Sequence, residues 1–390
     1  MMKLAIIGGA LQGMEAAYLA KKAGIRTLLI DRWAGAPAFS LAEEHAVLDV
    51  VKNEDEAMKL IEDCDAVLPA NEDPATLDHL VTMMRGTSVP LIYDPRACRI
   101  TSSRLLSNKL MRSLGVPMPA PWPDCGFPVI VKPSDWSRSV GASRADNQRQ
   151  LEKGIKTARL YGGGVVVQEF ISGPSISLEV IGNGSEAVPL VGSQVLFDET
   201  YDRKMVISPP ENVIFDEDLL RRACERMAVE LELGGIMEVE AMVSRGVPRI
   251  IEIDARFPSQ TPAAAYHSHG INMVHMLMEL FTTGRLLRPD TRGGRVAICE
   301  HVLKQGEVLR SKGESALTQF KGMQVRPGLF GSDEMITNYR PGEHAWAGTV
   351  ICTGSTIEEA RGKRDACIQS IMDENSIGTF SDPVPEVRTA

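Results

Sequence analysis

The sequence predicts an α/β chain that opens with a doubly wound, Rossmann-like domain. Three observations carry that prediction. Residues 3–7 are a continuous apolar run, as a strand buried on both faces of a parallel sheet requires. The run enters a glycine turn at Gly8, Gly9 and Gly13, followed by a helix-forming stretch over 14–23 that Gly24 can close. Strand and helix signals then alternate about every 15 residues through the first ~95.

In order, the expected elements of this domain are a strand at 25–30 ending on Asp31, a strand at 46–50 and a helix at 54–63. A strand at 66–69, a helix at 74–85 and a strand at 89–93 complete it. A helix over 102–114 stops at Gly115-Val116-Pro117 and runs into a proline-rich linker, Pro117 to Pro128. A strand at 129–132, a polar loop, a helix at 147–160 and a strand at 165–169 predict a small α+β lid domain. Antiparallel strands over 175–210, a helix at 219–233, two carboxylate-bearing strands, a helix at 270–283 and a terminal helix at 357–373 predict a C-terminal α+β domain. The expected boundaries are 1–98, 99–180 and 181–390.

Bulk properties exclude several classes. The 390 residues carry a net charge of −9, which disfavours nucleic acid and anionic membranes as partners. The seven cysteines form no C-x-x-C pair and no cluster with histidine, so reduced thiols in a cytoplasm are expected. No apolar run approaches the ~20 residues of a membrane span, and the N-terminal run is too short for a signal peptide. A cytoplasmic protein without membrane association is the expectation.

The chemistry concentrates at residues 250–262. There Glu252, Asp254 and Arg256 alternate with apolar residues, so a strand places all three on one face. Twelve residues upstream, Glu240 ends a similar run, and two adjacent antiparallel strands bring Glu240, Glu252 and Asp254 together. Three hard oxygen donors suit Mg²⁺, and Arg256 beside them suits an anion. A solvated, salt-bridged strand face is the bland alternative. Lys132 closes another strand, where it can reach a phosphate, and the loop 134–143 after it is rich in serine and lacks Walker A spacing. The strand end at 168–171 offers backbone groups to an adenine edge. The glycine turn is a weak dinucleotide signal, because Ala10 stands where that fingerprint wants its middle glycine.

Taken together, the α/β domain, G-V-P linker, strand lysine, Ser/Gly loop, hinge strand and E-x-D-x-R strand resemble the ATP-grasp superfamily, and they come in its order. That resemblance implies ATP and Mg²⁺ as cofactors, and a carboxylate joined to an amine through an acyl phosphate. By the same resemblance Glu240, Glu252 and Asp254 are metal ligands, and Arg256 steadies the acyl phosphate and the tetrahedral intermediate. Lys132 lies on the nucleotide phosphates, Ser139 in the phosphate lid, and Gln168, Glu169, Phe170 and Ile171 at the adenine hinge. Arg104 replaces the family's other phosphate lysine, and Lys204 stands at a γ-phosphate lysine position.

The segments 7–19, 177–180, 198–202, 235–241 and 251–262 narrow the resemblance to the pyrrolysine-biosynthesis ligases of that superfamily. These imply 3-methyl-D-ornithine (or D-ornithine) and L-lysine as small-molecule substrates, and a homodimer. Glu179, Asp198, Glu199 and Asp202 are acids that could hold ammonium groups, with Thr200 and Ser259 in the same matching segments. Leu11, Gln12 and Glu72 lie at strand ends of the first domain, where open α/β sheets bind ligands, and are expected to take lysine. The competing readings are an ATP-grasp ligase of the D-alanine–D-alanine ligase type, a dinucleotide-dependent oxidoreductase and a non-catalytic nucleotide-binding regulator.

Overall fold

The computed structural model describes residues 1–136 and 140–385. The chain opens with a four-stranded parallel sheet in the order Glu44–Val47, Arg26–Asp31, Lys3–Ile7, Ala66–Pro69. Its apolar runs are continuous because both faces are covered. Leu4, Ile6, Leu29 and Leu68 share one core with residues of the helix Leu11–Lys22. Ala5, Ile7, Leu28, Ile30 and Val67 join the core of Ile61 and Leu80. The side chains alternate between two cores, as the two-residue period of a strand dictates.

The strand expected at 89–93 is a single bridge, Val67 to Leu91. Pro90 accepts from the Val67 N–H, and Ile92 donates to the Val67 carbonyl. Proline has no N–H with which to extend the ladder. The helix expected over 102–114 is two, Pro95–Thr101 and Arg104–Leu114. The first is capped by Asp94, which accepts from the Arg96 and Ala97 N–H groups. Gly115 ends the second in the left-handed conformation that its residue type anticipates.

The lid is a three-stranded sheet, Ser143–Ala145, Val129–Pro133, Val165–Glu169, backed by the helix Gln148–Ala158. The following strand, Ser175–Asn183, already belongs to an eleven-stranded sheet. That sheet runs from Val247–Asp254 through Gly234–Ser244, Ser175–Asn183, Ala187–Phe197, Arg203–Ser208, Val296–Gln305 and Ala345–Gly354 to its far edge. The strand that carries Glu252 and Asp254 ends at Asp254, so Arg256, expected on the same strand face, lies in the turn beyond it. A helix that the sequence reading passed over, Thr261–His269, follows that turn, with Pro262 in its first turn. No described helix is long and apolar enough to cross a membrane.

The first domain is welded to the large sheet. Ala16, Leu19 and Ala20 share one buried core with Ala264, Met273 and Leu277. Asn272 donates to the Leu19 carbonyl at 2.8 Å. Glu15, buried, accepts the Ala263 N–H at 2.6 Å and so serves the open N-terminus of the helix Thr261–His269. Burial raises the Glu15 carboxyl from 4.5 to about 7, against the opposing pull of the Ala263 and Gln260 N–H groups.

An acid raised in the folded state contributes stability that is complete below its unfolded value and is lost as pH rises through its folded value. The unfolding free energy is therefore expected to fall between pH 4.5 and pH values above 7, with Glu15 accounting for about 3 kcal/mol of the decline. Urea denaturation across that range should show a flatter decline in Glu15→Gln than in the wild type. An unchanged slope would refute the assignment.

Candidate active site

A cavity of about 740 Å³ lies where the lid, the large sheet and the first domain meet. Its floor is the strand pair Gly234–Ser244 and Val247–Asp254. Register places Glu240 opposite Glu252 and Glu238 opposite Asp254, so four carboxylates face the same side. Glu238 escaped the sequence reading although it sits two residues before Glu240, on the same strand face.

Each of these carboxylates is met by an arginine. Arg104 reaches both oxygens of Glu252, at 2.8 and 3.0 Å. Arg203 pairs with Glu238 at 2.7 Å and also with Glu240. Arg256 grips Asp254 at 2.6 and 2.8 Å. Although burial works against the charge on Arg256, the Asp254 carboxylate holds its guanidinium well above the usual range. Among the described residues no three His, Cys, Asp or Glu side chains converge as a cation-binding group. The donor set nonetheless suits magnesium in type: it is all oxygen and anionic, and Glu240 and Glu252 are directly opposed neighbours.

The lid wall carries Lys132, which makes no salt bridge among the described residues. Burial lowers its pKa, Arg104 nearby lowers it further, and Glu252 and Glu240 counteract both. Arg104 also donates to the carbonyls of Pro133 and Trp136, at the base of the loop after Lys132. Gln168, Glu169, Phe170 and Ile171 line the cavity beside Arg144, whose guanidinium lies 4.7 Å from the Phe170 ring centre. The Glu169 and Phe170 N–H groups are taken by the Ala120 and Pro128 carbonyls. Ser139 lies outside the described residues.

Of the expected substrate residues, Gln12 and Glu72 from the first domain line the cavity, as do Thr200, Asp202 and Ser259. Leu11, Glu179, Asp198 and Glu199 do not, and neither does Lys204, which was expected at the nucleotide γ-phosphate. Leu11 is packed in the core. Glu179 stands on the neighbouring strand, fully buried opposite Glu238. Burial first, and Glu238 second, raise its carboxyl to about 8.

Asp198 is fully buried and occupied. It accepts from the Thr200 N–H and hydroxyl, the Asp202 N–H, the Gly313 N–H and the Lys312 ammonium. Burial works to raise its carboxyl, but the Thr200 and Lys312 bonds hold it well below the usual range. Glu199 pairs with Lys312 at 2.7 Å.

Lys204 is turned away from the cavity. A β-bulge interrupts the strand between Arg203 and Met205, and there Arg203 faces the carboxylates while the Lys204 ammonium goes to Asp382 and the Pro383 carbonyl. Glu314 was also missed. It lines the cavity and accepts from Ser259 at 2.7 Å and Gln260 at 3.0 Å. It follows the E-x-D-x-R strand by more than fifty residues, and no local pattern announces it.

Residues 101–260 match the ATP-grasp domain family. The chain is 38% identical to the 3-methyl-D-ornithine–L-lysine ligase of Methanosarcina barkeri over 319 residues, 82% of this chain and 84% of that one. Likeness to the D-alanine–D-alanine ligase of Alcanivorax borkumensis is 30% identity over 30% of this chain and 38% of that one. In fold, the chain is similar to the biotin carboxylase domain of Hydrogenobacter thermophilus 2-oxoglutarate carboxylase, solved with MgADP and bicarbonate. The TM-score is 0.72 at 16% identity, over 95% of this chain and 90% of that one.

Because Arg203 neutralises two partly buried carboxylates, its loss leaves both without a cation. Arg203→Met is expected to destabilise the fold by about 3–5 kcal/mol in urea denaturation. A loss below about 1 kcal/mol would match an exposed pair and contradict this account.

Proposed function

Since the chain belongs to the ATP-grasp ligases of the 3-methyl-D-ornithine–L-lysine ligase family, we propose that it joins the carboxylate of 3-methyl-D-ornithine to the ε-amine of L-lysine, in pyrrolysine biosynthesis, with ATP cleaved to ADP and phosphate. The observation that carries this reading is the sharing of one cavity. Arg256 and its carboxylate neighbours, Lys132, the hinge at 168–171, and Gln12 and Glu72 from the first domain all face the same space.

Glu240, Glu252 and Asp254 are the residues that would hold magnesium, which when bound withdraws charge from phosphate oxygens. Lys132 and Arg104 offer cationic groups to the nucleotide phosphates. The methylornithine carboxylate attacks the γ-phosphorus, the bond to ADP breaks, and an acyl phosphate forms. The uncharged ε-amine of lysine then attacks the acyl carbon, phosphate leaves, and the nitrogen loses its proton as the amide forms. Arg256 stabilises the oxygen that becomes negative at that carbon. No side chain needs to become covalently attached to substrate, so the protein's contribution is placement and charge.

Asp202 and Glu314 are acids on the cavity surface, suited to the two ammonium groups of an ornithine-like substrate. A D-alanine would offer them only one. Gln12 and Glu72 are suited to the α-groups of lysine, at the strand ends of the first domain. Cytoplasmic residence and a homodimer belong to the same proposal.

Incubated with ATP, Mg²⁺, L-lysine and 3-methyl-D-ornithine, the protein is expected to yield ADP and an amide of the two amino acids, read by mass spectrometry. Chelation of Mg²⁺ should abolish both products. Arg256→Ala should lower kcat by roughly 10²–10³-fold, the cost of removing one oxyanion donor. ADP release without that amide, across these substrates, would exclude the assigned pair.

A further inference from the structure

The C-terminal end of the described chain approaches the cavity. The strand Thr379–Ser381 pairs in parallel with Val308–Ser311, and the Phe380 ring lies beneath Arg364, 5.2 Å from its guanidinium. Directly after it, the Asp382 carboxylate and the Pro383 carbonyl receive the ammonium of Lys204, the latter at 2.6 Å. Lys204 is only 2% exposed, and these are its hydrogen-bond partners among the described residues. An ammonium so deeply buried requires both partners, so its neutralisation depends on the docked tail. Val384 then faces outward at 67% exposure, whereas Pro385 lines the cavity. The neighbour of the anchor, Arg203, lines the same cavity.

We propose that residues 382–385 are a strap that closes part of the cavity wall and keeps water from the activated substrate, with Lys204 as its anchor. This rests on the ligase reading above. In the reaction the strap prevents, a water oxygen attacks the acyl carbon, the bond from that carbon to the phosphate oxygen breaks, and phosphate leaves. The free carboxylate is regenerated, and ATP is spent without an amide. An apolar ring at the wall offers such a water no hydrogen bond. Lys204 and Asp382 are then positioning residues, acting through the placement of Pro385.

The test measures ADP release and amide formation separately, in the full-length enzyme with ATP and Mg²⁺, with and without each amino acid. Amide made by the wild type reports on the ligase reading alone. Lysine-independent ADP release reports on the strap. Asp382→Asn and Pro385→Gly should raise that release roughly two- to tenfold over wild type, as expected when water enters a closed site. Asp382→Glu should restore it. Should Asp382→Asn fail to fold, Pro385→Gly decides, because it leaves the anchor intact. Wild-type rates of ADP release in the folded variants, even with a lowered melting temperature, would overturn the strap and leave the tail a purely structural element.

Discussion

Four carboxylates on one sheet face repel one another, and the site exists only because that repulsion is answered. Glu238, Glu240, Glu252 and Asp254 project from two neighbouring strands. Arg104, Arg203 and Arg256 reach them from the helix after the first domain, from another strand and from the turn just past the carboxylate strand. Partial burial makes each pairing matter more than it would on the surface, since removing either partner strands a charge in a poorly solvated place. The cations fix where the helix Arg104–Leu114 and the strand Arg203–Ser208 must lie.

The second constraint is the attachment of the parallel domain to this sheet. The ligand-binding edge of a parallel sheet lies at the carboxyl ends of its strands, and Gln12 and Glu72 come from that edge. They can meet Arg256 in one cavity because the helix Leu11–Lys22 is held against the helix Thr261–His269. The Glu15 contact to Ala263 ties the two at the point where the E-x-D-x-R segment turns into that helix. A buried acid is an unusual choice for such a joint. The unpaired N–H groups of a helix start are what make it tolerable.

Local patterns made much of this legible. Continuous apolar runs announced the parallel strands, and the alternation in 250–256 announced a charged strand face. What stayed hidden was set by distant partners. A β-bulge between Arg203 and Met205 leaves Arg203 facing the cavity and Lys204 on the Asp382 side, and no local pattern announces it. Asp198 reads as a free acid until Gly313 and Lys312, far along the chain, arrive to claim it. The failure at 89–93 was local, because Pro90 could have been weighed against the apolar pattern around it. Glu314 had no such cue.

The saturation of Asp198 has a bearing on selectivity. Its carboxylate is bonded to the backbone of residues 200, 202 and 313 before any ligand arrives. Thr200 and Asp202, which border the cavity, are therefore set at a fixed spacing and do not collapse around whatever enters. Such a loop acts as a ruler. On the role proposed above for Asp202, a diamine of the right length meets it without reorganisation, and a shorter or longer homologue leaves a charge or a polar group unmatched. Discrimination then comes from rigidity rather than from adaptation.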